Sequence, residues 1–456
     1  MTDQVGKERV MPRLMDWKRL LSSQRFKDGG RLRPAHEGLP SARTVFHKDH
    51  DRLVFSHAFR RLGRKTQVHP MSKNDHIHTR LTHTIEVGSV GRSLGSEIGG
   101  WLEDNGVLPN DFNHADIGVI TQAACLAHDI GNPPFGHAGE EAIKDWFKEN
   151  KGLIKDQLSE DELNDFTKFD GNAQGLRTIT TIENHLFDGG LRLTLPTIAT
   201  SIKYPWNSSH AKTKDKFSVF RDQFDVFSRV ANELGLIDQG DGKFCRHPLC
   251  FLVEAADDIC YAIMDLEDGV ELELLTFKEL YDVFEGLTSD SYDDLMTEHI
   301  SDRRRIARLR GAAMQSMIDH AVRSFKEHYE SIMAGEFSDN LVECGKGVTP
   351  EAISAAKNAA RNRVFTASRK TQLEIGSFSS IGVLLTAFVK AIVELHDRGE
   401  DAMSFRNKRI LESMGANKPP RSWTFYDSLL RVTDVISGMT DDHATFLAGQ
   451  LSGYGK

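Results

Sequence analysis

Residues 115–141 read ADIGVITQAACLAHDIGNPPFGHAGEE, and this stretch decides the fold. From Asp116 to Asp129 it is apolar almost all round, which predicts a helix at the centre of the structure rather than one lying on its surface. The Gly-Asn-Pro-Pro run at 131–134 ends that helix. The next begins at Gly136 and reaches Phe147. His128 and Asp129 therefore fall at the C-terminal end of a central helix. Two ionisable groups there are costly unless paired or metal-bound, and the partial negative charge of a helix C-terminus favours a cation.

Working outward, the pattern stays helical. In HKDHDRLVFSHAFRRL (47–62) apolar residues recur at helical spacing, with Asp49 as N-cap. After the loop KTQVHPMSKNDHIH a long helix is expected from about Thr79 to Asp104, burying Leu81, Ile85, Val87, Val90, Leu94 and Ile98. Further helices are expected at about 172–187, 193–203, 216–235, 249–268, 275–285, 301–330, 350–362, 378–398 and 421–447. A short β-hairpin is expected over 363–376. Otherwise strand signals are scarce, and there is no internal repeat. The fold class is all-α. Residues 1–40, with Gly29, Gly30, Pro34, Gly38 and Pro40, read as an N-terminal arm. Residues 41–290 read as the core and 291–456 as a C-terminal helical region.

The totals narrow the function classes. A chain of 456 residues allows two or three domains at roughly 100–200 residues each. A net charge of −9 gives no global field drawing it to nucleic acid or an acidic membrane. The most apolar stretch, Ile381 to Leu395, is broken by Thr386, Lys390 and Glu394, so no membrane span is expected. The N-terminus lacks the apolar core of a signal peptide. Five cysteines at irregular spacing suit reduced thiols, and so a cytoplasmic setting. Cys245, His247 and Cys250 form a candidate metal group, but without a matching second half.

Among 19 histidines, the question is which few share a constellation. Asp257 lies in VEAADDICYAIMDLED (253–268), another mostly apolar stretch. Asp257, Tyr261 and Asp265 are spaced i, i+4, i+8 and line one face within roughly 80°. That face is either solvated or the wall of a cavity. His83 sits on the long helix, with Arg80 three residues earlier on the same side. His137 and Glu140 are i, i+3 in the first turn after Phe135-Gly136. Such a pair can act as a unit, the carboxylate orienting the imidazole, or can simply supply acid to a helix start.

HTRLTHTIEVG (78–88), AACLAHDIGNPPFGHAGEEA (123–142) and EAADDICYAIMDLEDG (254–269) together resemble the three sequence blocks of the HD superfamily of phosphohydrolases. More narrowly, the chain resembles the bacterial deoxyguanosine triphosphate triphosphohydrolases. SHAFRRLGRKTQV (56–68), FDGNAQGLRT (169–178), IKYPW (202–206) and DVISGMTD (434–441) support this, and the likeness runs from about 41 to 447. The resemblance implies an HD-type helical core in which His83, His128, Asp129 and Asp257 bind one divalent metal per chain. Two imidazoles and two carboxylates suit Mn²⁺, Mg²⁺ or Fe²⁺, with Co²⁺ also compatible. A roughly neutral metal site leaves the charge of a triphosphate to other cations. By resemblance Arg80, Lys203 and Tyr204 contact phosphate and sugar, and Arg60 and Arg61 add charge near the base. Tyr261 and Asp265 face the deoxyribose, while His137 and Glu140 handle protons.

The expected reaction is hydrolysis of a dNTP, dGTP first, to deoxynucleoside and inorganic triphosphate. The resemblance also implies a homo-oligomer, commonly a hexamer, and nucleotide effectors. Two other readings are open. One is an HD-type phosphodiesterase or nucleotidase. The other is a regulatory protein binding single-stranded DNA through RRRIARLR (303–310), with Arg361, Arg363, Arg369 and Lys370 downstream.

Overall fold

A computed structural model describes residues 14–27, 30–34, 43–67, 74, 76–184, 189–211, 215–297 and 300–454. The regular structure of the described chain is helical, apart from two short antiparallel ribbons and three isolated β-bridges. One pairs Gln24–Lys27 with Arg31–Pro34, in the register Arg25 opposite Arg33; the other pairs Asp238–Gly240 with Lys243–Phe244. Helix makes up 68% of the structure, so the all-α reading holds.

Two helices form the spine. The His83 helix (Arg80–Asp104) starts from a Thr79 capping box, in which Thr79 accepts from the Thr82 amide and Thr82 from the Thr79 amide. The His128 helix (His114–Ala127) starts from the same device built by Asn113 and Asp116, and His128 is its C-cap. The two lie unusually close because glycines face the contact. A Cβ on Gly91 would stand 2.4 Å from Cys125 Sγ, and one on Gly95 2.8 Å from the Ile117 carbonyl oxygen. This close approach brings His83 alongside His128, with ring centroids 5.5 Å apart. It also corrects the expected buried face: Val87, Val90, Leu94 and Ile98 are buried, but Leu81 is only partly so and Ile85 is 51% exposed. Glycine, invisible to an apolar-spacing argument, decides which side faces in.

The Asp257 helix (Cys250–Glu271) packs across both spine helices. Asp302–Glu327 joins the same core through Leu309, Ala313, Met317, Ala321 and Phe325. A second apolar cluster joins Ile143, Phe147, Phe166, Phe169 and Phe217 to Ile381–Leu395 and Leu429–Ile436 of the C-terminal helices.

The described part of residues 1–40 is packed. Met15, Trp17, Leu20, Leu21 and Phe26 are buried, and Trp17 Nε1 donates to the Tyr329 hydroxyl at 2.8 Å. Gly29, Gly38 and Pro40 lie outside the described residues. Asp49 is not an N-cap. Thr44 holds that position, and Asp49 is buried mid-helix, accepting from the Thr194 amide and the Thr194 and Thr197 hydroxyls. The hairpin expected over 363–376 is absent. Ala360–Val364 is a π turn extending the helix Val348–Ala359, and Ser368–Arg398 is one 31-residue helix. Lys370, Gln372, Leu373 and Glu374 are good helix formers and outweigh the few β-branched residues. Within this helix 370–398 is apolar and long enough to cross a membrane by composition, but Ile381, Leu384, Leu385, Phe388 and Ile392 are buried at the centre of the second cluster.

Candidate active site

Three of the expected ligands converge. His83 Nε2, His128 Nε2 and Asp257 Oδ1 come from the three central helices, and one ligand atom of each lies within 4.8 Å of the others. His83 Nε2 is 3.0 Å and His128 Nε2 3.6 Å from Asp257 Oδ1. The His128 Nδ1–H donates to the Cys125 carbonyl at 2.6 Å, which fixes the tautomer and leaves the Nε2 lone pair aimed at the cluster. Burial would raise the Asp257 carboxyl, but His128, His83 and Lys203 outweigh it and hold the carboxyl well below the usual range. Two imidazole nitrogens and a carboxylate whose ionised form its neighbours favour make a donor set that fits a divalent cation.

Asp129 stands at the edge of this group. Its Oδ1 lies 3.6 Å from His128 Nε2 and accepts from Asn132 Nδ2 at 2.6 Å, while Oδ2 accepts from Arg80 at 3.0 Å. Arg80 is buried and thereby ties the cluster to the cavity in front of it.

That cavity, of about 270 Å³, is lined by Arg80, His137, Lys203, Tyr204, Lys216 and Tyr261 among others, together with His128, Asp129 and Asp257. Lys203 rests on Glu254 at 3.0 Å, and Lys216 on Glu140 at 3.4 Å and Asp170 at 3.6 Å. These carboxylates hold both ammonium groups in their charged form. Glu140 is buried, which would raise its pKa. His137, Lys216, the Gly171 amide and Lys144 prevail and hold it at about 2. Its Oε2 lies 3.3 Å from His137 Nδ1, while the His137 side chain is 75% exposed. The arrangement is an accessible imidazole braced by a fixed carboxylate. Tyr261 stands edge-on to His83, with centroids 5.4 Å apart. An adjoining cavity of about 280 Å³ shares Gln67, Arg80, His137 and Tyr261 and extends to Phe365, Lys370 and Glu374.

Not every expected residue joins the site. Asp265 is buried one turn beyond Tyr261, outside the lining of both cavities; burial, with Asp268 and Asp257, pushes its carboxyl well up. Arg60 is exposed. Arg61 donates to Glu183 at 3.3 Å and lines a separate cavity of about 540 Å³ against Arg431 and Asp434. Conversely, the sequence reading missed Lys216, Asn132, Lys65, Phe365 and Glu374. Asn132 and Lys65 lay within quoted motifs, but their roles depend on partners distant in the chain.

The arginine-rich stretch is largely paired. Arg303 bonds Glu271, Arg305 bonds Asp302, Arg308 bonds Asp290 and Arg310 bonds Glu267. Arg363 bonds Glu279. Cys245, His247 and Cys250 do not form a metal site, since every candidate ligand atom is engaged locally. Ile237 N donates to Cys245 Sγ, the Cys250 thiol donates to the Ile202 carbonyl, and His247 uses both ring nitrogens.

Comparison with known proteins decides the family. An HD domain model matches residues 80–212, the segment carrying His83, His128 and Asp129. A deoxyguanosinetriphosphate triphosphohydrolase-like protein of Pseudomonas aeruginosa is 45% identical over 447 residues, covering 96% of this chain and 99% of that protein. The chain belongs to the deoxyguanosinetriphosphate triphosphohydrolase-like family. A Synechocystis member of this family is 39% identical over 96% of the chain and 99% of its own length. A protein of Salmonella arizonae named deoxyguanosinetriphosphate triphosphohydrolase is 29% identical over 92% of the chain and 95% of its own. HD domains are metal-dependent hydrolases, in keeping with the converging triad.

Proposed function

We propose that this protein is a metal-dependent deoxynucleoside triphosphate triphosphohydrolase, with dGTP the first substrate to test. The observation that carries the reading is the convergence of His83, His128 and Asp257, the last two of which line a cavity that also presents Arg80, Lys203 and Lys216. His83, His128 and Asp257, joined by Asp129, would hold one divalent cation, for which Mn²⁺, Mg²⁺, Fe²⁺ and Co²⁺ all suit the donors. When bound, such a cation polarises a phosphate oxygen as a Lewis acid.

The chain's own residues supply the rest. Lys203, Lys216 and Arg80 bring three positive charges to a ligand with about four negative ones, and Tyr204 adds a hydroxyl beside Lys203. Each cation is already braced by a carboxylate, so little side-chain entropy is lost on binding. Water attacks the α-phosphorus, a new P–O bond forms, and the bond to the sugar oxygen breaks. The sugar oxygen leaves with a proton that the accessible His137, oriented by Glu140, is placed to deliver, and the proton lost by the attacking water passes to solvent, from which the imidazole is reprotonated. The adjoining cavity between Gln67 and Glu374 would take the nucleoside end. Tyr261 separates the metal group from that cavity; packed under C2′, its ring would disfavour a ribose hydroxyl. If Tyr261→Ala leaves the preference for dGTP over GTP unchanged, the ring does not select the sugar.

The test is hydrolysis of the four dNTPs and GTP with Mn²⁺ or Mg²⁺, reading inorganic triphosphate, with Asp129→Ala as control. Triphosphate released by the wild type and not by the variant is the expected result. Release of monophosphate or pyrophosphate would move the protein to the phosphodiesterase or nucleotidase class. No hydrolysis at all, with salt-dependent binding of single-stranded DNA, would favour the regulatory reading.

A further inference from the structure

The segment 434–441, DVISGMTD, lies at the far end of the chain from the catalytic loop 131–136 and lines neither active-site cavity. Its end is nevertheless bonded to that loop. Asp441 is buried at the first position of the helix Asp441–Leu451. Its Oδ1 accepts from the Phe135 amide at 2.8 Å, and its Oδ2 accepts from the Thr66 amide at 2.9 Å and the Thr66 hydroxyl at 2.7 Å. Beside it the buried Lys65 ammonium donates to the Asn132 carbonyl at 2.6 Å and to the Ser437 carbonyl at 2.5 Å. Two short segments, 65–66 and 437–441, thus grip both ends of the loop.

The gripped loop would not hold its shape unaided. Phe135 has φ of 64°, in the left-handed region that side chains avoid. Gly136 follows at 59°, and a Cβ there would fall 2.4 Å from the Arg80 guanidinium. Strain of this kind persists only where the surroundings over-determine it. The loop carries Asn132, which bonds Asp129, and launches His137 one residue after Gly136. A shift at Phe135 is therefore a shift of both the metal edge and the proton donor.

We propose that Asp441, with Lys65, is a positioning clamp that fixes the catalytic loop, so that the C-terminal helices take part in catalysis without touching substrate. The inference rests on the functional reading above only for its kinetic arm. The test compares Asp441→Ala, Asp441→Asn and Asp442→Ala. Asp442 shares the first turn of the same helix but is largely exposed, pairing with Arg64 at 3.6 Å. It controls for loss of helix-terminal charge. Two quantities are read: kcat and KM for triphosphate release, and amide hydrogen exchange over 131–140 without substrate or metal.

A misplacement of about 1 Å can cost roughly 100-fold in rate. Asp441→Ala should therefore lower kcat by about 10- to 100-fold, with KM changed less than about threefold, and should speed exchange locally over 131–140. Asp441→Asn, which keeps an oxygen for Phe135, should recover much of both and remains informative if the alanine variant fails to fold. Asp442→Ala should match the wild type. A kcat within about twofold of wild type in Asp441→Ala, equal losses in Asp442→Ala, or exchange raised along the whole chain would overturn the clamp. If the wild type releases no triphosphate, the functional reading fails on its own, and the exchange data still decide the clamp.

Discussion

Two groups of metal-ligating residue types stand out among the described residues, and one of them is fit to bind a metal. In the first, His128 spends its Nδ1–H on the Cys125 carbonyl and aims its Nε2 lone pair at the point where His83 and Asp257 also aim. In the second, His247 donates from Nε2 to the Leu20 carbonyl at 3.1 Å, while Nδ1 accepts from the Leu249 amide and the Thr200 hydroxyl, both at 3.2 Å. Burial pushes the neighbouring thiols up, Cys245 to about 11 and Cys250 to about 12, so neither offers a thiolate. Residue type alone does not separate the two cases. What separates them is whether lone pairs are left over and converge.

The sharpest way to break that contrast is to remove one imidazole from each group. His128→Ala deletes a converging lone pair and should lower kcat by about a thousandfold or more, since several kcal/mol of transition-state stabilisation depend on it. His247→Gln should leave kcat and metal affinity near wild type. Steady-state kinetics across a metal titration reads both.

Next in size is the proton-handling pair. His137→Ala should cost about 10²- to 10⁴-fold in kcat, and Glu140→Gln less, because it loosens the imidazole without removing it. An equal loss in KM and none in kcat would assign His137 to binding instead.

A third variant tests how the two histidines are brought together. Gly91→Val inserts side-chain volume where a Cβ alone would meet Cys125 Sγ at 2.4 Å. It should destabilise the fold by roughly 1–3 kcal/mol and weaken metal binding, because it prises the His83 helix from the His128 helix. Thermal unfolding and metal titration check it; unchanged metal affinity would show that the spacing of these helices does not set the site.

The smallest effect is a matter of pH. Burial lowers His247 to about 4, against about 6.5 in the unfolded chain. The folded form is therefore the poorer proton binder. The stability this group contributes is whole above about pH 6.5 and is lost as pH falls through 4, up to about 3 kcal/mol in total. His247→Gln should flatten that part of the acid limb in a denaturant series run from pH 7 to pH 4. An unchanged slope would mean that the ring is protonated in the folded protein.

These contrasts also mark what was legible in the sequence. The central helices, and His128, Asp129 and Asp257 as candidates on them, were legible because each signal is local: an all-apolar run ending in His-Asp, and polar residues four apart on an apolar helix. The HD resemblance added His83 to these candidates, and the structure brings it beside His128 and Asp257. Arg61 stands outside the cavity beside Arg80, bonded to Glu183, a partner 122 positions away that no local pattern points to. Lys65, Asn132 and Asp441 act through bonds to distant segments, which no local pattern encodes. The hairpin expected over 363–376 gives way to helix for a different reason: the helix formers around its few β-branched residues prevail.

The measurement that tests the central claim most directly is the divalent metal bound per chain in wild type, His128→Ala and His247→Gln, with triphosphate release assayed on the same samples. The expected result is about one metal per chain and full activity in wild type and His247→Gln, and neither in His128→Ala. Metal and activity retained by His128→Ala would contradict the assignment of the site.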